Sequence, residues 1–291
     1  MLDLLQGRLL EDGSGAVVAM NRPAKILAVG VLACVLVIAL TPYVWMLLTS
    51  FKGRLDILSP EPTWLFTPTL LNYPAVFIDK DYLPLVYNSL LISLGSTALS
   101  IIIGAPAAYV FARTDFAGKE DLFFFFLTTR MAPPISIAVP LFLFFTTLGL
   151  TDTIYAVVIA HTSFNLSLVV WMMRGFFAEI PKEIDEAAMM DGRSKLGAFV
   201  RVIVPLAAPG LAATAVLCFI LSWNEFLYAF ILVAFEGRPL TVGIPGLITP
   251  HGTLWGQVAA VAIVATLPIL VFTFLVQKHL VRGLTFGAVK G

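Results

Sequence analysis

The chain has 291 residues, 59% of them hydrophobic and 12% charged, with 18 basic and 18 acidic side chains and a formal net charge of +0. A soluble domain keeps about a quarter of its residues charged, so a chain this poor in charge must turn most of its surface to lipid. The balanced charge gives no argument for nucleic acid as a partner. Cys34 and Cys218 sit in separate apolar runs, which argues against a disulfide framework or a cysteine metal site.

In chain order, residues 1–25 read as a flexible cytoplasmic tail, with Gly13-Ser14-Gly15 in its middle and Met20 as an alternative start. Residues 26–291 form the transmembrane unit. A spanning helix needs about 20 mostly apolar residues, and six stretches qualify: 26–48, 85–111, 122–145, 154–173, 207–235 and 258–276. The first is too long for a signal-peptide core and is followed by Ser50-Phe51-Lys52, not by a small-residue cleavage site. The expected fold is therefore an all-α membrane protein with six transmembrane helices.

An even number of spans leaves both termini on one side. The side that holds the termini collects thirteen of the 18 lysines and arginines, against Lys52, Arg54, Lys80 and Arg238 opposite, with Arg130 inside a span. The positive-inside rule then makes the termini cytoplasmic. The long outer connection from Lys52 to Pro84 is rich in proline and aromatics, among them Pro60, Pro62, Trp64, Phe66 and Tyr73, and reads as an ordered cap at the membrane surface. The second span carries Ser96, Ser100, Gly104, Ala108 and Ala112, a small residue at every fourth position, which lets a neighbouring helix approach closely.

A polar island at 174–205 separates the fourth and fifth spans and falls on the cytoplasmic side. Pro181 suits a helix start, Glu183, Asp185 and Glu186 complement the positive end of the helix dipole, and Gly192 suits a left-handed stop. Ile184, Ala187, Ala188 and Asp191 fall at helical spacing on one face, kept low by the two alanines. Ser194 can cap a second short helix through Val202, which Pro205 ends. A helix resting on lipid would favour lysine, arginine and large apolar residues. Acids and small residues favour a protein partner instead.

The run Glu186-Ala187-Ala188, three residues, Gly192, nine residues, then Val202-x-Val204-Pro205 resembles the EAA signature of bacterial ABC importer permeases, with valine where isoleucine and leucine are usual. The resemblance covers nearly the whole chain from Pro23 and is strongest to the MalG-like permeases of carbohydrate uptake. Its pieces include Asn88-Ser89-Leu90, Gly149-Leu150-x-Asp152-Thr153, Ser222-Trp223-Asn224-Glu225-Phe226 and the end from Gly283 to Gly291. It implies a MetI-like permease core in the bacterial cytoplasmic (inner) membrane. The cytoplasmic loop at 174–206 would be a coupling helix docking on an ATPase dimer through Glu186, Ala187, Ala188, Asp191, Gly192 and Pro205. A tail at 277–291 would reach that ATPase through Gly283, Leu284, Thr285, Gly287, Lys290 and Gly291. It also implies a second, MalF-like permease subunit and an extracytoplasmic solute-binding protein. ATP and Mg would be held by the ATPase and no cofactor by this chain.

Ionisable and amide side chains within spans are costly and are candidates for function. Arg130 beside Met131-Ala132-Pro133-Pro134, His161 and Asn165 four apart on the fourth span, and Asn224 and Glu225 on the fifth are the candidate solute pathway, with Arg130 and Glu225 as a candidate pair. The competing reading is structural, with Arg130 snorkelling and Asn165 and Glu225 stitching helices. Trp223 and Trp255 read as interfacial anchors before sugar-stacking residues. Gly118-Lys119 is followed by Glu120, and no G-x-x-x-x-G-K-[ST] run occurs, so ATP hydrolysis is not expected here. Neither a metal-binding nor a nucleophile–base motif is expected among His161, His251 and His279. The cargo expected from the resemblance is a carbohydrate or polyol. A self-sufficient secondary transporter or channel is the alternative; it would favour buried ionisable relays and internal repeats, and it leaves the polar island without a role.

Overall fold

The structure, a computed structural model, describes residues 22–286, and side-chain positions for these except Arg22, Ala24 and residues 278–286. Most of the N-terminal tail, including Met20, lies outside the described residues. Residues 22–25 already belong to the first helix.

Four helices are long and apolar enough to cross a membrane unbroken. They are α1 (Arg22–Ser50), α2 (Leu83–Arg113), α5 (Ile154–Glu179) and α10 (Trp255–Phe286). The other two expected spans are each in pieces. The third is α3 (Lys119–Thr128) and α4 (Pro134–Thr147), parted by residues 129–133. Pro133 and Pro134 have no N–H to donate to the preceding turn and their rings clash with it, so one rod cannot run through. The fifth is α8 (Ala208–Trp223) and α9 (Leu227–Leu232), parted at Asn224-Glu225-Phe226. Before α8 the chain runs as a foot from Lys195 to Leu206 that meets it at 78°.

The centre of the bundle is the seam between α2 and α5. The every-fourth small residues of α2 make it: Ser96, Ser100, Gly104 and Ala108 are all buried. A Cβ on Gly104 would stand 2.7 Å from Val169 Cγ1, closer than carbon atoms tolerate. Without a hydrophobic force between helices in lipid, this close approach and the hydrogen bonds across it hold the pair. Towards the polar island, Ala105, Ala108, Met173, Phe177, Phe199 and Ile203 form one apolar cluster. Towards the other end, Ile92, Phe145, Val157, Tyr228 and Leu232 form a second.

α1 stands apart, packed on α10 with its other faces exposed. A helix apolar all round and unburied suits lipid. Beyond it the segment from Lys52 is ordered, as expected. Asn72 Nδ2 donates to the carbonyls of Ser50 and Lys52, both at 2.9 Å, and the Lys52 ammonium lies 4.3 Å from the Trp45 ring centroid. Near the same end, Asp152 adopts φ +59° and its Oδ1 accepts the amides of Ala234, Phe235 and Glu236 at 2.8 to 3.2 Å. Partial burial pushes the Asp152 carboxyl up, but the amides of Phe235, Ala234, Glu236 and Gly237 outweigh it and hold the group below its usual value.

Candidate functional site

The polar island folds as helix, left-handed turn, helix. Arg174 is not part of it, because α5 continues to Glu179. α6 (Lys182–Met190) begins after Pro181, with Glu183 and Asp185 in its first turn. Gly192 takes φ +83°, and its N–H reaches the Met189 carbonyl at 3.0 Å while the Arg193 N–H reaches that of Ala188 at 3.2 Å. This reciprocal pair is a Schellman cap, and it needs a residue free of a Cβ at the left-handed position. Ser194 Oγ then accepts the Gly197 amide at 3.1 Å and starts α7 (Lys195–Ala198).

The second half departs from expectation. Pro205 does not end the foot, which continues from α7 through a π turn at Phe199–Ile203 and a last turn at Val204–Leu206. The wider π turn accommodates a residue that cannot donate an N–H. The break comes at Ala207, just before α8 begins.

The expected docking face of α6 is divided. Ala188 is 6% exposed and Ile184 is half-buried, both turned to the protein's own core, whereas Glu186, Ala187, Met190, Asp191 and Gly192 are exposed. The cause is Asp185, which the sequence reading treated only as a dipole partner. Its Oδ2 lies 2.8 Å from Arg113 Nε, with both side chains 9% exposed, and its Oδ1 accepts the Tyr109 hydroxyl at 2.5 Å. Arg113 also donates from Nη2 to the Ile180 carbonyl at 2.8 Å. This ion pair and the two hydrogen bonds hold the Asp185–Ala188 side of α6 inward and leave Glu186 and Ala187 outside. Nearby, Arg174 holds Glu120 through two bonds of 2.6 and 3.2 Å and lies 4.0 Å from the Phe123 ring centroid, pinning α3 to α5.

Within the spans, the expected Arg130–Glu225 pair is replaced by another. Glu225 Oε2 lies 3.0 Å from His161 Nε2, and His161 Nδ1 lies 2.7 Å from Ser222 Oγ, which accepts from Ser96 Oγ at 2.9 Å. The Glu225 carboxylate also accepts the amides of Tyr228 and Ala229 at 3.0 to 3.3 Å, so it caps the positive end of α9. Arg130 is exposed in the α3–α4 break. It shares with Glu225 the wall of a cavity of about 220 Å³, completed by Thr129, Phe164, Leu221 and Tyr228. His161 backs that wall from behind.

The remaining pathway candidates face elsewhere. Asn165 is fully buried and donates to the Cys218 carbonyl at 3.2 Å, stitching α5 to α8. Asn224 is exposed and donates to the Ile220 carbonyl of its own helix at 2.8 Å. Trp223 is neither anchor nor stacking platform: it is buried and donates from Nε1 to the Ala265 carbonyl on α10 at 3.0 Å. Trp255 is exposed at the start of α10. At the far end, α10 continues through Gly283, Leu284 and Thr285 to Phe286, so the first part of the tail expected at 277–291 is helical. Gly287, Lys290 and Gly291 lie outside the described residues.

Ser96, Ser222, Tyr109, Arg113 and Asp185 are the residues of these networks that sequence reasoning missed. Arg113 and Asp185 are 72 positions apart in the chain. Only the small-residue stripe, which brings α2 against α5, could have suggested their meeting.

Residues 100–286 match the family described as binding-protein-dependent transport system inner membrane component. The chain is 37% identical over 258 residues to the probable ABC transporter permease protein y4oR of Sinorhizobium fredii, covering 88% of this chain and 93% of that one. It is 35% identical over 265 residues to the trehalose/maltose transport system permease protein MalG of Thermococcus litoralis, covering 88% and 93%. In fold it resembles a chain of a bacterial ABC transporter involved in import of the acidic polysaccharide alginate, with a TM-score of 0.75, 24% identity, and 90% and 99% of the two chains covered. With the helical bundle and the helix–turn–helix island already described, these likenesses identify the chain as a multi-pass membrane permease belonging to the binding-protein-dependent transport system inner membrane component family.

Proposed function

We propose that this permease is a non-catalytic transmembrane subunit of an ATP-driven importer for a carbohydrate or polyol, and that α6 is the element through which a separate ATPase drives it. The observation that carries the reading is the exposed edge of α6, where Glu186, Ala187, Met190 and Asp191 stand free while the opposite edge is bolted to the bundle. An acidic, low-profile helix end held rigidly from behind suits a cleft with a basic group in it. The lysine and arginine distribution supports a cytoplasmic position for this end and for both termini. ATP and Mg belong to the ATPase dimer. A second permease subunit would complete the passage and an extracytoplasmic binding protein would deliver the solute. The end of the chain from Gly283 to Gly291 is a second contact for the ATPase. The carbohydrate class is supported by the relatives that carry sugar transport in their names.

The test is co-purification of the ATPase subunits through a tag on this chain. Glu186→Lys should abolish co-purification while the permease still inserts in the membrane. Full retention of the ATPase by that variant would contradict the docking role. The buried His161–Glu225 pair is the observation that favours a self-sufficient, proton-coupled carrier instead. That reading requires uptake by the isolated chain with no ATPase present.

A further inference from the structure

We infer that α2 is a lever between the docking helix α6 and the Glu225 cavity, and that Asp185 with Arg113 and Tyr109 is the joint at its lower end; the inference rests on the reading of α6 as the ATPase-docking element. Tyr109 and Arg113 lie four apart on α2, so they present one face to α6. Asp185 takes both, through its two carboxylate oxygens. Arg113 adds a bond to Ile180, the residue that caps α5. One guanidinium therefore ties α2, α6 and the end of α5. The pair is 9% exposed on each side, and separating such a pair strands a charge away from water. A displacement of α6 must carry the end of α2 with it.

The lever continues along the seam. From Arg113 to Ser96, α2 spans roughly 25 Å at the helical rise per residue. On the way Gly104 lies against Val169 with no room for a methyl group. Close-packed contacts of this kind pass displacement on and do not absorb it. Half-way along α2, Ser96 donates to Ser222, Ser222 meets His161, and His161 meets Glu225 in the cavity wall. α2 is thus held by two polar attachments, one at its Arg113 end on the docking element and one at its middle, through Ser96, on the cavity wall. The covalent route from α6 to the same wall turns through 78° before it enters α8. Asp185 is a positioning residue: it acts through Arg113 and Tyr109.

The experiment uses the purified complete transporter. Leu221, exposed on the cavity wall, is replaced by cysteine in a Cys34→Ser background, and its alkylation rate by N-ethylmaleimide is measured with and without Mg and a non-hydrolysable ATP analogue. Bound nucleotide should change the rate in the otherwise native protein. Asp185→Asn should keep the ATPase at native stoichiometry and reduce the nucleotide-dependent change at least about tenfold, as expected when a charge-assisted contact drops out of a coupling equilibrium. Asp185→Glu should restore most of the change. Tyr109→Phe, which removes one hydroxyl, should weaken it by a smaller factor, and this variant decides the matter if Asp185→Asn does not accumulate. An undiminished change in Asp185→Asn or Tyr109→Phe, or no nucleotide effect on Leu221→Cys at all, overturns the lever. Loss of the ATPase from Asp185→Asn also overturns it, since the residue would then seat the partner and not transmit its motion. Glu186→Lys run alongside separates the two claims: if it keeps the ATPase, the docking reading fails instead.

Discussion

At the scale of single residues, the polar side chains inside this membrane protein divide by what they leave open. Asn165 is enclosed, and Asn165→Ala removes one bond to a backbone carbonyl, a loss of about 1 kcal/mol. Glu225→Ala strands His161 and the amides of Tyr228 and Ala229 together, and each stranded group costs about 1–3 kcal/mol. Thermal aggregation of the detergent-purified chain should therefore begin at a clearly lower temperature in Glu225→Ala than in Asn165→Ala; equal onsets would contradict the network. Asp152 makes a prediction with pH. Its folded value lies below the ordinary aspartate value of 3.8, so its stabilising effect is complete above that value and is lost as pH falls through the lower, folded value. Asp152→Asn should consequently be less stable than the native chain at neutral pH, and the gap should close as the solution is acidified below pH 3.8. A gap that widened in acid would reverse the assigned sign.

At the scale of elements, the seam and the cap bear the clearest consequences. Gly104→Val forces α2 away from α5, and overpacking of this kind costs about 1–3 kcal/mol. It should shift the protein from a monodisperse peak to aggregate in size-exclusion chromatography, whereas Ala112→Ser, at the half-buried end of the stripe, should not. Gly192→Val puts a β-branched residue at φ +83°, where L-residues pay roughly 1–2 kcal/mol, and should loosen α6 without touching the membrane core. Proteolysis confined to the 182–206 segment is the expected readout. This is also the scale at which the sequence was most legible. Four of the six apolar stretches, the small-residue stripe, Ser194 as a cap and Gly192 as a stop follow from local chemistry, and each stands where expected. The divided face of α6 does not follow from local chemistry. Periodicity groups Ile184, Ala187, Ala188 and Asp191 on one side, but which side turns inward was set by Arg113 and Tyr109 on a distant helix. The same holds for Glu225, whose partner proved to be His161 because the α3–α4 break leaves Arg130 at the surface. Breaks within the third and fifth spans were foreshadowed only by Pro133 and Pro134; nothing local marks Asn224-Glu225-Phe226 as a hinge between α8 and α9.

At the scale of the whole molecule, a membrane bundle presents a rigidly backed polar helix at one end and, part-way along, a cavity whose mostly apolar wall carries Arg130 and Glu225. α1 is held along its seam with α10 and, at its Ser50 end, by Asn72 and Tyr73, and the exposed apolar faces of α3 and α4 add to a surface suited to lipid or a second permease subunit. We propose that the outward edge of α6 is where an ATPase grips the chain. Site-directed cross-linking measures this most directly. Ala187→Cys in the Cys34→Ser background, treated with a short bismaleimide in membranes that contain the co-expressed ATPase, should give a covalent permease–ATPase adduct. Glu186→Lys added to the same chain should remove it. An adduct from a cysteine at the opposite end of the bundle, such as Ile248→Cys, with none from Ala187→Cys, would contradict the account.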